Sequence, residues 1–220
     1  GLTPPQTATY KNPYREWIGA QIRGDLFGYI NPADPKTAAH MAWRDARVSH
    51  IKNGIYGEMF ISAMLAAAAV CSDREEVVRI GLSQIPHKSR LAQQVRLVID
   101  WYHEGISIDD AAARIHELYD EYTEHDWCHT ISNAMLVVIG ILFGGGDFAK
   151  SICPIVQAGF DTDCNGATVG SIIGMMLGTG GIPEKWTAPF CDTLRTGVAD
   201  YNLVKISELA HETARVATEE

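Results

Sequence analysis

From Tyr14 onward, apolar and polar positions recur at the 3.6-residue period of helices. Residues 1–13, with Pro4, Pro5 and Pro13, read as an extended lead-in. Trp17, Ile18, Gln21, Ile22, Asp25 and Leu26 place a first helix over 14–29. Asp34 and Pro35 open the next, because Asp accepts from orphan N–H groups and Pro fits a first turn. It runs to about His50. Asn53-Gly54 reads as a break, and Ile55 to Val70 as an apolar helix. Ser72 or Asp73 caps a short helix to Leu82, and Ser89 to His103 forms another. Ser107 with Asp110 imitates a capping box and opens a helix through Ala112, Ile115, Leu118 and Tyr119. Asp126 to Phe143, Asp147 to Gln157, 165–178, Thr187 to Val198 and Lys205 to Thr218 complete the set. No alternating strand pattern and no tandem repeat occurs, so the expected fold is all-α.

The helix at 165–178 is entered through a turn that opens with Gly159 and carries Asp161 and Asp163. Two short carboxylates at the mouth of an apolar helix suit a hard divalent cation, which takes oxygen ligands. They also suit a capping turn, because Asp favours the positive end of a helix. Capping needs one Asp, and this turn has two. An EF-hand loop matches Asp161-x-Asp163-x-Asn165-Gly166, but its twelfth position, normally Glu, is Ile172.

Composition narrows the partners. At 220 residues and 46% hydrophobic, the chain can bury a sizeable core. A net charge of −9 argues against nucleic acid, whose binding needs basic surface. The five cysteines are scattered, without a CxxC pair, and read as reduced thiols of a cytoplasmic protein. The uncharged stretch from Cys164 to Ile182 has Gly166, Gly170, Gly174 and Gly178 at every fourth position. It reads as a buried helix approached closely by a neighbour, too short for the roughly 20 residues of a membrane span.

At this stretch the sequence resembles the ADP-ribosylglycohydrolases. Their second metal motif is a glycine, Asp-x-Asp-(Thr or similar)-Asn-(small)-Ala-Thr-x-Gly, then a helix of small residues and Ile-Pro-x-x-Trp. Here it stands as Asp161-Thr-Asp163-Cys164-Asn165-Gly-Ala167-Thr168-Val-Gly170, followed by Ile182-Pro183-Glu-Lys-Trp186. The resemblance implies an all-α orthogonal multi-helix bundle. It also implies metal-assisted cleavage of the glycosidic bond between ADP-ribose and a protein side chain or small group. The partner is then an ADP-ribosylated protein or an ADP-ribose-containing small molecule. Mg²⁺ or Mn²⁺ is the implied cofactor, two ions in a complete site, with Asp161 and Asp163 catalytic and Asp161, Asp163 and Cys164 as metal ligands. Cys164 replaces the usual Thr, and a thiol is a soft donor that suits Mg²⁺ poorly.

Two further stretches carry the resemblance. The family's Gly-Asn-Gly-x-x-Met-Arg appears as Trp17-Ile18-Gly19-Ala-Gln21-Ile22-Arg23. By resemblance, Gly19 and Ala20 approach the substrate phosphates and Arg23 braces the site. Read without it, this is an amphipathic helix with an exposed Arg. Ser49-His50-x-x-Asn53-Gly54 resembles a Thr/Ser-His turn, which puts His50 and Asn53 beside ADP-ribose. A lone His at a helix end is otherwise an ordinary capping residue. The resemblance covers about residues 14–200, as the C-terminal two-thirds of a family member. The family's first acidic cluster has no counterpart before Asp109-Asp110. The expectation is a single all-helical domain over 1–220 that lacks an N-terminal segment. The alternative to a working hydrolase is an inactive ADP-ribose binder.

Overall fold

The computed structural model describes residues 1–218. Its helices are α1 (Gln6–Thr9), α2 (Asp25–Tyr29), α3 (Pro35–Ala46), α4 (Asn53–Ala68), α5 (Arg74–Ser83), α6 (Arg90–Glu104) and α7 (Ile108–Leu118). Then follow α8 (Glu124–Trp127), α9 (Thr130–Phe143), α10 (Phe148–Gln157), α11 (Thr162–Leu177), α12 (Glu184–Thr187) and α13 (Ile206–Thr218). Among the described residues the one sheet is a hairpin of β1 (Thr193–Arg195) and β2 (Leu203–Lys205), with Leu194 opposite Val204. The all-α fold class holds.

The core is built on α4 and α9, whose side chains are apolar nearly all round. A helix that is apolar on every face must be covered on every face. Helices α3 and α5 cover α4, and α6, α7, α10 and α11 cover α9. Phe60, Ile61, Met64 and Leu65 of α4 meet Met135, Leu136 and Ile139 of α9 in one buried cluster. Among the described residues, none after Ile173 is buried and no helix is long and apolar enough to cross a membrane.

Several starts follow the capping chemistry. Asp34 accepts from Thr37 N at 3.0 Å with Pro35 in the first turn, and Asp147 accepts from Lys150 N at 2.8 Å. Ser107 accepts from Asp110 N at 3.0 Å and donates to that residue's carboxylate at 2.7 Å. The pairing resembles a capping box, but the Asp110 carboxylate takes the Ser107 hydroxyl and not its backbone N–H.

The structure corrects five expectations. The lead-in contains the short helix α1. Residues 14–29 are not one helix: Trp17 pairs antiparallel with His129, a 3-10 turn covers Gln21–Arg23, and α2 follows. Gly24 and Gly28 let this segment lie flat on α4; a Cβ at Gly24 would come within 2.7 Å of Ser62 Oγ. Asn53-Gly54 does not break the chain but begins α4, the break being Lys52 at φ 47°. The helix expected over 126–143 is interrupted at Cys128-His129, where the chain leaves helical geometry to pair with residues 17–18. The region 187–198 is the end of α12, a 3-10 turn and β1, with Cys191 and Asp192 both at positive φ.

Candidate active site

The carboxylates are presented by a strained turn. Gly159 has φ +88° and Phe160 φ 58°, and a Cβ on Gly159 would run into Glu121 Oε2. Only glycine adopts the first conformation freely. Three side chains fix the turn. Glu121 Oε2 accepts from Phe160 N at 3.0 Å, Trp127 Nε1 donates to Phe160 O at 2.9 Å, and Asn133 Oδ1 accepts from Asp161 N at 3.1 Å. The same Asn133 oxygen accepts from Asn165 Nδ2 at 2.7 Å. Asn133 in turn donates to the Trp127 and His129 carbonyls, both at 2.9 Å. One buried amide thus locks the start of α11 to the start of α9.

Asp161 occupies the N-cap of α11, yet its side chain makes no capping hydrogen bond. The capping reading therefore leaves its carboxylate unexplained. Among the described residues, Asp161, Asp163 and Cys164 form the one group of three acidic, His or Cys side chains whose donor atoms lie within 4.8 Å of one another. Burial raises the Asp161 pKa and the neighbouring Asp163 adds to it. The Cys164 N–H and thiol pull the other way without reaching hydrogen-bond geometry. Two crowded carboxylates ask for a positive partner. Cys164 is pushed up to about 12 by burial and by both Asp residues, so its thiol is protonated when no cation is near.

The second half of the site lies directly against the first. Ile18 N donates to Cys128 O at 2.7 Å, and the Cys128 thiol lies 3.9 Å from Asp161 Oδ2. Gly19 follows Ile18, and a Cβ there would sit 3.6 Å from the His50 ring. Arg23 then ties this turn to α3. Its Nε donates to Asp45 Oδ2 at 2.5 Å, Nη1 to Gly19 O at 3.2 Å and Nη2 to Ser49 Oγ at 3.0 Å. Ser49 Oγ meets His50 Nδ1 at 2.8 Å; with the hydroxyl donating, the ring proton stays on Nε2. Burial, then the Arg23 charge, lowers His50 to about 4, so it is neutral at pH 7.

Of the residues singled out in the sequence, Gly19, Arg23 and His50 are brought together, and Asp161, Asp163 and Cys164 are brought together beside them. Ala20 is fully buried, backbone as well as methyl, whereas Gly19 beside it is half-buried. Asn53 stands apart. Its Nδ2 donates to Glu16 Oε2 at 2.8 Å and its Oδ1 accepts from Leu91 N at 3.1 Å, which seats the start of α6. Cys128, Asn133, Trp127 and Glu121 were not foreseen as site residues. Their roles depend on contacts with segments remote in sequence, so no local pattern announces them. Cys128 and His129 are not a nucleophile and its base. Cys128 is raised to about 11 by burial and Asp161, and His129 Nδ1 caps α9 by accepting from Ile131 N at 3.1 Å. A cavity of about 440 Å³ lies elsewhere, under α13 beside Tyr29 and Met175, and is lined by no acid.

The family model described as ADP-ribosylglycohydrolase matches residues 3–218, a wider span than the motifs alone cover. The chain belongs to the ADP-ribosylglycohydrolase family, whose members are hydrolases of ADP-ribosylated substrates and depend on metal. No curated protein and no solved structure matches the chain.

The donor set fits the family's metal in part. The Asp161 and Asp163 carboxylates are hard oxygen donors at one turn, as Mg²⁺ or Mn²⁺ requires. Cys164, in the third place, is a soft donor and does not suit Mg²⁺.

Proposed function

We propose that this chain carries the ADP-ribose-handling site of a hydrolase that cleaves the glycosidic bond between ADP-ribose and a protein side chain or small group. The observation that supports it is the double contact of Cys128, to Ile18 through its carbonyl and to Asp161 through its thiol. It ties the Gly19 turn, read here as the phosphate-facing one, to the carboxylate turn. Asp161 and Asp163 hold a divalent ion, Mg²⁺ or Mn²⁺. When bound, such an ion lowers the pKa of a water and orients sugar hydroxyls.

The residues divide the remaining work. The half-buried Gly19 backbone receives the diphosphate, with the buried Ala20 holding the turn from below. Arg23 braces the turn: three of its five N–H donors are engaged, at Asp45, Gly19 O and Ser49 Oγ, and it sets the height of the Gly19 carbonyl. His50 keeps Nε2–H toward Gly19 as a neutral donor, adding no charge to the turn. Trp127, 47% exposed, and Asp163, also exposed, line the side from which substrate arrives. Holding the scissile bond over Asp161 in this way reduces the entropy lost in reaching the transition state.

A second reading, an ADP-ribose binder without turnover, is favoured by Cys164. With the thiol in the third ligand place, a hard ion is held by two carboxylates and water.

The deciding experiment incubates the protein with an ADP-ribosylated protein, with and without Mn²⁺, and measures free ADP-ribose. Calorimetric titration with ADP-ribose is run beside it. Release that depends on the ion supports the hydrolase, binding without release supports the second reading, and neither rejects both.

A further inference from the structure

We infer that Glu58 is the positioning residue of the Gly19–Arg23 turn, acting from beneath it through the Arg23–Asp45 pair. This rests on the reading that the turn receives ADP-ribose.

Glu58 lies on α4 and is completely buried, and neither of its carboxyl oxygens has a hydrogen-bond partner. Its neighbours in sequence, Met59, Phe60 and Ile61, are core residues or pack on the core. An apolar side chain of that size would cost less there, because an unpaired buried carboxylate loses its hydration without compensation. The carboxyl stands where the turn ends. A Cβ on Gly24 would come within 2.9 Å of Glu58 Cγ, and Ser62, one helical turn on, donates to Gly24 O at 2.8 Å. The stem of Glu58 and the hydroxyl of Ser62 therefore form the floor on which residue 24 rests.

The charged groups that face it are few. Asp45 of α3 and Arg23 of the turn act on it, while Asp25 turns away to accept from Ser171 Oγ at 2.6 Å. Burial, then the Asp45 charge, raises Glu58 to about 9, so it is a neutral acid at pH 7. This protonation leaves Arg23 with one anion. A second carboxylate beside Asp45 would compete for the guanidinium and draw it away from Gly19 O and Ser49 Oγ. The proton on Glu58 thus keeps the fork of Arg23 directed at the turn, and losing it loosens the turn.

The test uses the whole chain with alanine methyls labelled. Ala20 lies inside the turn, and its methyl signal is followed from pH 6.5 to 10, with ADP-ribose affinity measured at each pH. In the wild type the Ala20 signal moves with a midpoint near 9 and affinity falls about tenfold for each pH unit beyond it. Glu58→Gln keeps the shape and the neutrality, so its Ala20 signal stays still and its affinity at pH 7 matches wild type. Glu58→Ala, checked for folding by circular dichroism, binds several-fold more weakly at pH 7. If Glu58→Gln shows the wild-type movement of Ala20, or the wild type shows none, the inference fails. If Ala20 behaves as expected and ADP-ribose binds neither protein, the positioning role stands and the ADP-ribose reading fails.

Discussion

The backbone N–H of Ile18 donates to the carbonyl of Cys128 at 2.7 Å. This bond ties the segment that leads into Gly19 to the residue whose thiol lies 3.9 Å from the Asp161 carboxylate. The Gly19 turn and the acidic turn are thereby fixed to a common residue.

The carboxylate pair is tested by heat. Mn²⁺ at about 100 times its dissociation constant adds about 2.7 kcal/mol to the folded state. For 220 residues that is a rise of about 5–10 °C in melting temperature. Asp161→Asn removes one charged ligand, and the rise is expected to vanish. An undiminished rise in Asp161→Asn would mean the ion binds elsewhere.

If Cys164 is the third ligand, as proposed, it sets which ion is preferred. Cys164→Thr places a hard oxygen in the third ligand position and is expected to strengthen Mg²⁺ binding and weaken Zn²⁺ binding. Calorimetry with each metal alone reads both changes. Equal affinities in wild type and variant would remove the thiol from the ligand set.

Gly159→Ala examines the turn itself. A Cβ at φ +88° is strained, and it displaces the Glu121 carboxylate that accepts from Phe160 N. The expected loss is about 1–3 kcal/mol of stability, seen in urea unfolding. Combining it with Glu121→Ala recovers the steric part and leaves the strain. A fully neutral Gly159→Ala would show that the turn is not held as described.

Acid sensitivity should trace to buried imidazoles. His129 and His50 are lowered from 6.5 to about 4, mainly by burial, so the folded state binds fewer protons than the unfolded one. Their stability contribution is complete above pH 6.5 and declines as pH falls toward 4. His129→Asn keeps an acceptor for Ile131 N and removes the titration. Its melting temperature is expected to fall less steeply than wild type between pH 6.5 and 4. Parallel slopes would assign the acid limb to other groups.

The sequence exposed the parts of the fold that obey local rules. Asp34, Ser89, Ser107 and Asp147 announced helix starts because a cap is a contact between near neighbours. The Asp161-x-Asp163 turn was visible for the same reason. Residues 14–29 were misread because Trp17 and Ile18 have helical spacing but spend their backbone on His129 and Cys128, far along the chain. The hairpin of β1 and β2 was hidden because the chain enters it through Cys191 and Asp192 and reverses through Asp200, all at positive φ and none of them glycine. Asn53 looked like a ligand-facing amide, and only the approach of Glu16 and Leu91 reveals its work as a staple.

The bonds that close the site join residues distant in the chain. Thr130 Oγ1 donates to Gln21 Oε1 across 109 positions, and Ser171 Oγ to Asp25 Oδ2 across 146. Contacts of such separation carry the largest loop-closure entropy and slow the folding of whatever depends on them. Helices closed by near-neighbour bonds do not wait for these contacts, whereas the meeting of the Gly19 segment with α9 and α11 does. Until the chain has been made as far as α11, the Gly19 turn stands without the Asp161 turn beside it.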